Sequence, residues 1–248
     1  MSRKKLIAIG CSYTKMSRKK SLAAIGNRHW PEYLAEKLDM NCVNLGAAGQ
    51  GNEYILSKLI DTVLSEKNIG LVVLMWSEWI RQDFQDPANG WYFFHPHKDK
   101  SRKERYPIDL KSRNSILQYN NTYDVTMKSL RHFLIAQMLL KDIPYLMIQG
   151  PVPQAGELAA IVWRQTWFQT SPSATMINSK IFNEINPDQF IGWPILKQIG
   201  GYTVGDILNK IDPEQKELRI SKDDTHPNAE GHKIISQEIY NAYEKIYT

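Results

Sequence analysis

The chain has 248 residues, of which 42% are hydrophobic and 23% charged. That balance excludes a disordered or low-complexity chain, and the length supports one sizeable core that needs no disulfide staples. The net charge of +5 comes from Lys and Arg scattered among Asp and Glu, so it does not point to a nucleic-acid partner. Cys11 and Cys42 show neither metal-ligand nor disulfide-framework spacing and read as free thiols of a reducing compartment. The apolar stretch after the basic start is too short for a signal peptide, and no run approaches a membrane span. The expectation is a soluble, cytoplasmic protein with no membrane span.

Residues 6–9 form a short apolar strand that surfaces at Gly10, Cys11 and Ser12. In "HWPEYLAEKL", Trp30, Leu34 and Leu38 recur at helical spacing. "CVNLG" is a second strand, and the Gly-rich "NLGAAGQGN" leads from it into a helix beginning at Asn52. Ile55, Leu56, Leu59, Ile60, Val63 and Leu64 mark that helix's apolar face. Residues 71–76, "LVVLMW", have the unbroken apolar character of a central parallel strand. Ile116, Tyr119, Tyr123, Met127, Leu130, Leu134 and Met138 trace one face of a long helix, and residues 145–150 form a fourth strand. A last helix follows Pro227, with Ile234, Ile235, Ile239 and Tyr243 turned inward.

Strands alternating with helices predict an α/β fold, a three-layer α/β/α sandwich with a mostly parallel sheet of about five strands. Residues 80–113 and 151–205 break this rhythm with aromatic and polar segments and show no strand pattern of their own. Both follow strand carboxyl ends, where open α/β sheets bind ligands, so they read as insertions that shape a cleft within a single domain.

The sharpest chemical signal is "KDDTHPNAEGHKII", where Asp223 precedes His226 by three residues just before the last helix. A carboxylate and an imidazole on one tight loop can orient and charge-balance each other, and the imidazole can then deprotonate a nucleophile. Two nucleophiles stand after the first strand, Ser12 and Cys11, of which a stabilised thiolate is the stronger by nature. His95 and His97 carry no metal-like spacing and read as part of a solvated loop.

Taken in order, these blocks resemble the SGNH (GDSL-type) hydrolase superfamily. Gly10-Cys11-Ser12 matches its first block, with Cys in place of Asp, and puts Ser12 on the nucleophile position. "NLGAAGQGN" matches the second, with Gly49 where the family donates a backbone N–H to the oxyanion. Asp223 and His226 match the block before the last helix. The third block departs from the family: after "LVVLMW" stands "WSEWIRQDF" in place of Gly-x-Asn-Asp. Ser77, Asn52 and the backbone of Ser12 are candidate oxyanion donors, and Arg81 is a candidate substrate contact.

The resemblance implies a serine esterase working through an acyl-enzyme on an acyl lipid, an acetylated sugar or another small ester, with no cofactor. The altered first and third blocks leave a second reading open. In it, the same scaffold has lost hydrolytic power and binds a glycan or nucleic acid through Trp91, Tyr92 or the basic run at residues 98–105.

Overall fold

The apolar run at residues 71–76 lies in the third strand of a five-stranded parallel sheet and is buried from both sides. The computed structural model describes residues 2–16, 26, 28–88, 90–94, 121–151, 153 and 171–248. In chain order the elements are β1 (Lys5–Gly10), α1 (Trp30–Lys37), β2 (Asn41–Asn44), α2 (Asn52–Ser65), β3 (Ile69–Trp76), β4 (Gln82–Asp86) and β5 (Gly90–Phe94). There follow α3 (Thr122–Leu139), β6 (Tyr145–Gln149), α4 (Pro172–Ile177), β7 (Phe190–Ile191), α5 (Val204–Ile211) and α6 (Ala229–Tyr247).

The main sheet runs β2-β1-β3-β6-β7. Side chains alternate across it, as strand geometry requires. Val72, Leu74 and Trp76 join Ile7 and Ile9 in a core beneath α2 and α3. Leu71, Val73 and Met75 join Leu6 and Ala8 in a second core beneath α1, α5 and α6. Each fully buried aliphatic or aromatic side chain contributes about 1.5–3 kcal/mol, so the two cores together hold the sheet between its helical layers. The strand order reverses at β1, which places a crevice beyond the carboxyl ends of β1 and β3.

The helix at residues 122–139 turns a different face inward from the one its large apolar residues suggest. Tyr123 is 52% and Met138 64% exposed, whereas Thr126, Ser129, Leu130, Phe133 and Ala136 are buried. The two polar residues are accommodated locally: Thr126 Oγ1 donates to Thr122 O at 2.7 Å, and Ser129 Oγ accepts from Asn52 Nδ2 at 3.4 Å. Leu64, read as inward-facing, is 82% exposed at the end of α2.

Both segments read as insertions contain strands. β4 and β5 pair as an antiparallel hairpin from Gln82↔Phe94 to Asp86↔Gly90. The polar composition of β4 hides it from a search for apolar runs. The turn beginning Asp86-Pro87 was the available signal, and Ala88 N donates to Asp86 Oδ1 there at 2.9 Å. In the second segment, β7 adds the edge strand beside β6. Among the described residues, no helix is long and apolar enough to cross a membrane.

Candidate active site

β1 ends at Gly10, and the chain folds back at once: Thr14 N and Lys15 N donate to Cys11 O at 2.9 and 3.1 Å. That turn needs glycine, because a Cβ on Gly10 would lie 2.2 Å from Thr14 Oγ1 and 2.9 Å from Met75 O. The turn sends neighbouring side chains to different places. Cys11 is fully buried in the core under α1 and α6, packed with Leu6, Ala8 and Trp30. Ser12 turns toward the loop before α6, where its Oγ lies 2.8 Å from His226 Nε2. Of the two candidate nucleophiles, Ser12 alone reaches the imidazole.

His226 belongs to the loop before α6. Ile220 N donates to His226 O at 2.9 Å, and a bridge joins Arg219 to Pro227, so the loop is a closed turn. The carboxylate on the ring is that of Asp224, whose Oδ1 lies 2.5 Å from His226 Nδ1. This corrects the expectation for Asp223, which is exposed. The cause is the turn itself: Ser221 Oγ accepts from Asp224 N at 3.0 Å, and Ser221 N donates to Asp224 O at 3.1 Å. With its ends pinned, the second carboxylate of the doublet faces the ring. A proton on Nδ1 donated to Asp224 leaves Nε2 free to accept from the Ser12 hydroxyl.

Tyr13 packs beside the imidazole, with ring centroids 5.3 Å apart. Burial pushes its phenol up to about 12, so it stays protonated. Behind the site, His29 and His232 stand edge to face at 5.3 Å. His29 Nε2 accepts from Met16 N at 2.8 Å and His232 Nδ1 from Trp30 N at 3.3 Å. Both are acceptors and therefore neutral. Burial is the chief cause that holds His232 down to about 3.

The Gly49 loop lies beside the Ser12 turn. Ala47 N donates to Gly10 O at 2.9 Å, and Asn44 Nδ2 donates to Thr14 O at 3.1 Å. Gly49 has φ +91°, which disfavours any residue with a Cβ. The space over its Cα is filled by the ring of Phe93, whose Cζ would lie 2.4 Å from a Cβ there. Glycine is thus required by the backbone and by Phe93.

The three side-chain candidates around this loop bond to the protein instead of pointing into the crevice. Ser77 is fully buried, and its Oγ donates to Gln50 O at 2.9 Å. Asn52 Oδ1 accepts from Ser77 N at 2.8 Å, while its Nδ2 faces Ser129. Arg81 donates from Nε to Glu78 at 2.9 Å and from Nη1 to Gln50 O at 3.1 Å. The expected donor roles of Ser77 and Asn52, and the substrate contact of Arg81, are therefore corrected. The end of β3 is drawn onto the start of α2, and these groups form the seam.

The N-terminal end of α2 carries the partial positive charge of the helix. Asp83 occupies that end, accepting from Gly51 N at 2.7 Å and Tyr54 N at 3.0 Å. Burial pushes Asp83 up to about 6, against the pull of those two N–H groups and of Arg81. No composition or spacing signal marked Asp83; it acts across 32 residues of chain.

No cluster of metal-ligating side chains occurs among the described residues. His95, His97 and the basic run at residues 98–105 lie outside them. Trp91, part of the second functional reading, packs edge-on against Tyr54 at 5.5 Å.

No protein-family model matches the chain, and neither does any curated protein. Solved structures do. A member of the lipolytic protein G-D-S-L family from Veillonella parvula aligns with a TM-score of 0.50 at 12% identity, covering 98% of this chain and 99% of that one. The psychrotrophic esterase EstA from a Pseudoalteromonas species aligns at 0.48 and 14% identity, over 97% of each chain. The chain thus shares its fold, a five-stranded parallel sheet between helical layers, with the G-D-S-L family protein.

Proposed function

We propose that the chain is a serine ester hydrolase in which Ser12 is the nucleophile, His226 the general base and acid, and Asp224 the group that orients the imidazole. The observation that carries this reading is the relay from Asp224 through His226 to Ser12, with spacings of 2.5 and 2.8 Å across 214 residues of chain. A shared fold does not fix a reaction, so the reading rests on the geometry of the site.

In the first half-reaction the Ser12 hydroxyl proton passes to His226 Nε2 as Oγ bonds to the ester carbonyl carbon. The carbonyl π pair moves onto oxygen, and the N–H groups of Ser12 and Gly49 are the proposed donors to that oxyanion. Its collapse breaks the bond to the leaving alkoxide, which takes the proton from His226. Water then gives a proton to His226, adds to the acyl carbon, and the acid departs as Ser12 recovers its hydrogen. Ser77 and Asn52, tied into the α2 seam, supply no third donor, and each missing donor costs about a hundred- to thousandfold in rate. Esters with good leaving groups, whose transition states lean least on oxyanion donors, are the substrates that such a site turns over best.

The test is hydrolysis of p-nitrophenyl acetate and butyrate by the parent protein and by Ser12→Ala, with a fluorophosphonate probe mapped by mass spectrometry. Loss of turnover in the variant and a probe adduct on Ser12 support the reading. Equal rates in the two proteins overturn it.

A further inference from the structure

Three side chains that follow β3 converge on one short stretch of backbone. Ser77 Oγ and Arg81 Nη1 both donate to Gln50 O, at 2.9 and 3.1 Å. Asp83 Oδ1 and Oδ2 accept from Gly51 N at 2.7 and 2.9 Å, and Oδ2 also accepts from Tyr54 N at 3.0 Å. Helix α2 starts after Gly51, which has no side chain to cap it. Asp83 therefore supplies, from β4, the acceptor and the negative charge that a helix start ordinarily gets from its own N-cap.

The same loop is tied at its other end to the nucleophile turn through Ala47 N and Gly10 O. Gly49 sits between the two tethers. The loop is held beside the Ser12 turn by bonds that include Ala47 N to Gly10 O and Asn44 Nδ2 to Thr14 O, and on the α2 side by the Asp83 and Gln50 bonds. Phe93, on the strand paired with β4, closes over it. The residues that replace the family's third block act on the second-block backbone.

We infer that Asp83 is a positioning residue for this reaction: through Gly51 and Tyr54 it fixes the Gly49 loop where the oxyanion develops. The role rests on the hydrolase reading above. It follows from the general requirement that donors to a developing charge be held in place before the reaction, since reorganising them during it forfeits their advantage. A cap that served stability alone would lower the melting temperature and leave the folded enzyme's kcat unchanged. A positioning residue moves kcat and leaves KM nearly constant.

The experiment compares the parent, Asp83→Ala, Asp83→Asn and Ser12→Ala. It measures kcat and KM on p-nitrophenyl acetate, thermal melts, and amide hydrogen exchange across residues 46–56. Asp83→Ala is expected to lower kcat about ten- to a hundredfold at near-constant KM, the penalty of a displacement of about an ångström. Exchange at Gly51 and Tyr54 should accelerate beyond that of the sheet strands. Asp83→Asn should fall between parent and alanine variant, because a carboxamide oxygen at the Oδ2 position can still accept from both N–H groups.

A folded Asp83→Ala protein with parental kcat, or with unchanged exchange at Gly51 and Tyr54, overturns the inference. Should the alanine variant not fold, parental kcat in Asp83→Asn overturns it alone. Turnover that survives Ser12→Ala in the parent background instead removes the hydrolase reading, and the positioning role with it.

Discussion

Gly49→Ala places a methyl group where Phe93 already stands. The new Cβ would lie 2.4, 2.5 and 2.8 Å from three atoms of that ring. Carbon atoms prefer about 3.5–4.0 Å, so the ring must move. Two costs add. Holding a residue with a Cβ at φ +91° costs about 1–2 kcal/mol. Displacing a packed ring costs about 1–3 kcal/mol. The sum, about 2–5 kcal/mol, corresponds to a melting temperature lower by about 4–20 °C for a domain of this size.

The two terms separate in a double-mutant cycle. Phe93→Ala removes the obstruction but not the backbone strain. In the Gly49→Ala background it should therefore cost less than it does alone, with a coupling of about 1–3 kcal/mol. Thermal melts followed by circular dichroism on the four proteins give that number. Strictly additive losses, or a Gly49→Ala protein as stable as its parent, would refute the assignment of Phe93 to the space over Gly49.

The carboxylate assignment predicts that Asp224→Asn lowers kcat about a thousand- to ten-thousandfold, as expected when an imidazole loses its orienting anion, while Asp223→Asn stays near the parent. Initial rates on p-nitrophenyl butyrate decide it, and the opposite ranking would return the role to Asp223. The neutral histidine pair predicts acid sensitivity. His232, held down to about 3, binds fewer protons when folded than its ordinary 6.5 allows when unfolded. Its contribution is complete above the unfolded value and is lost as pH falls toward the folded one, amounting to about 3 kcal/mol by two pH units below the unfolded value. His29, also lowered by burial, acts in the same direction. Asp83, raised by burial to about 6, acts oppositely between that value and 3.8. His232→Asn keeps an acceptor for Trp30 N and removes the titration. Its urea midpoint should depend less on pH than the parent's between neutral and mildly acid solution. Parallel losses in the two proteins would refute the buried-neutral account.

The sheet and its layering were legible because they depend on local pattern. The unbroken apolar run of β3 requires burial on both faces, and the apolar run at residues 6–9 ending in Gly10 requires a strand that surfaces at Ser12. The last helix was legible after Pro227, and Asn228 Oδ1 caps it at Gly231 N, 3.0 Å away. Periodicity misled at α3, where buried Thr126 and Ser129 carry no apolar signature, and at β4, whose five residues are mostly polar.

The sequence by itself determined the first four strands of the main sheet and the helices α1, α2, α3 and α6, and it brought a hydroxyl and an imidazole to the same edge of that sheet. It pointed to Asp223 where the structure puts Asp224 on the ring, because adjacent carboxylates suit the same turn equally. That choice belongs to the Ser221–Asp224 hydrogen bonds and to the ring they face. Nor could it reveal that Ser77, Arg81 and Asp83 hold the Gly49 loop. Their partners are distant in sequence, and which acceptor a donor finds is decided only when β3, β4 and the start of α2 have packed together.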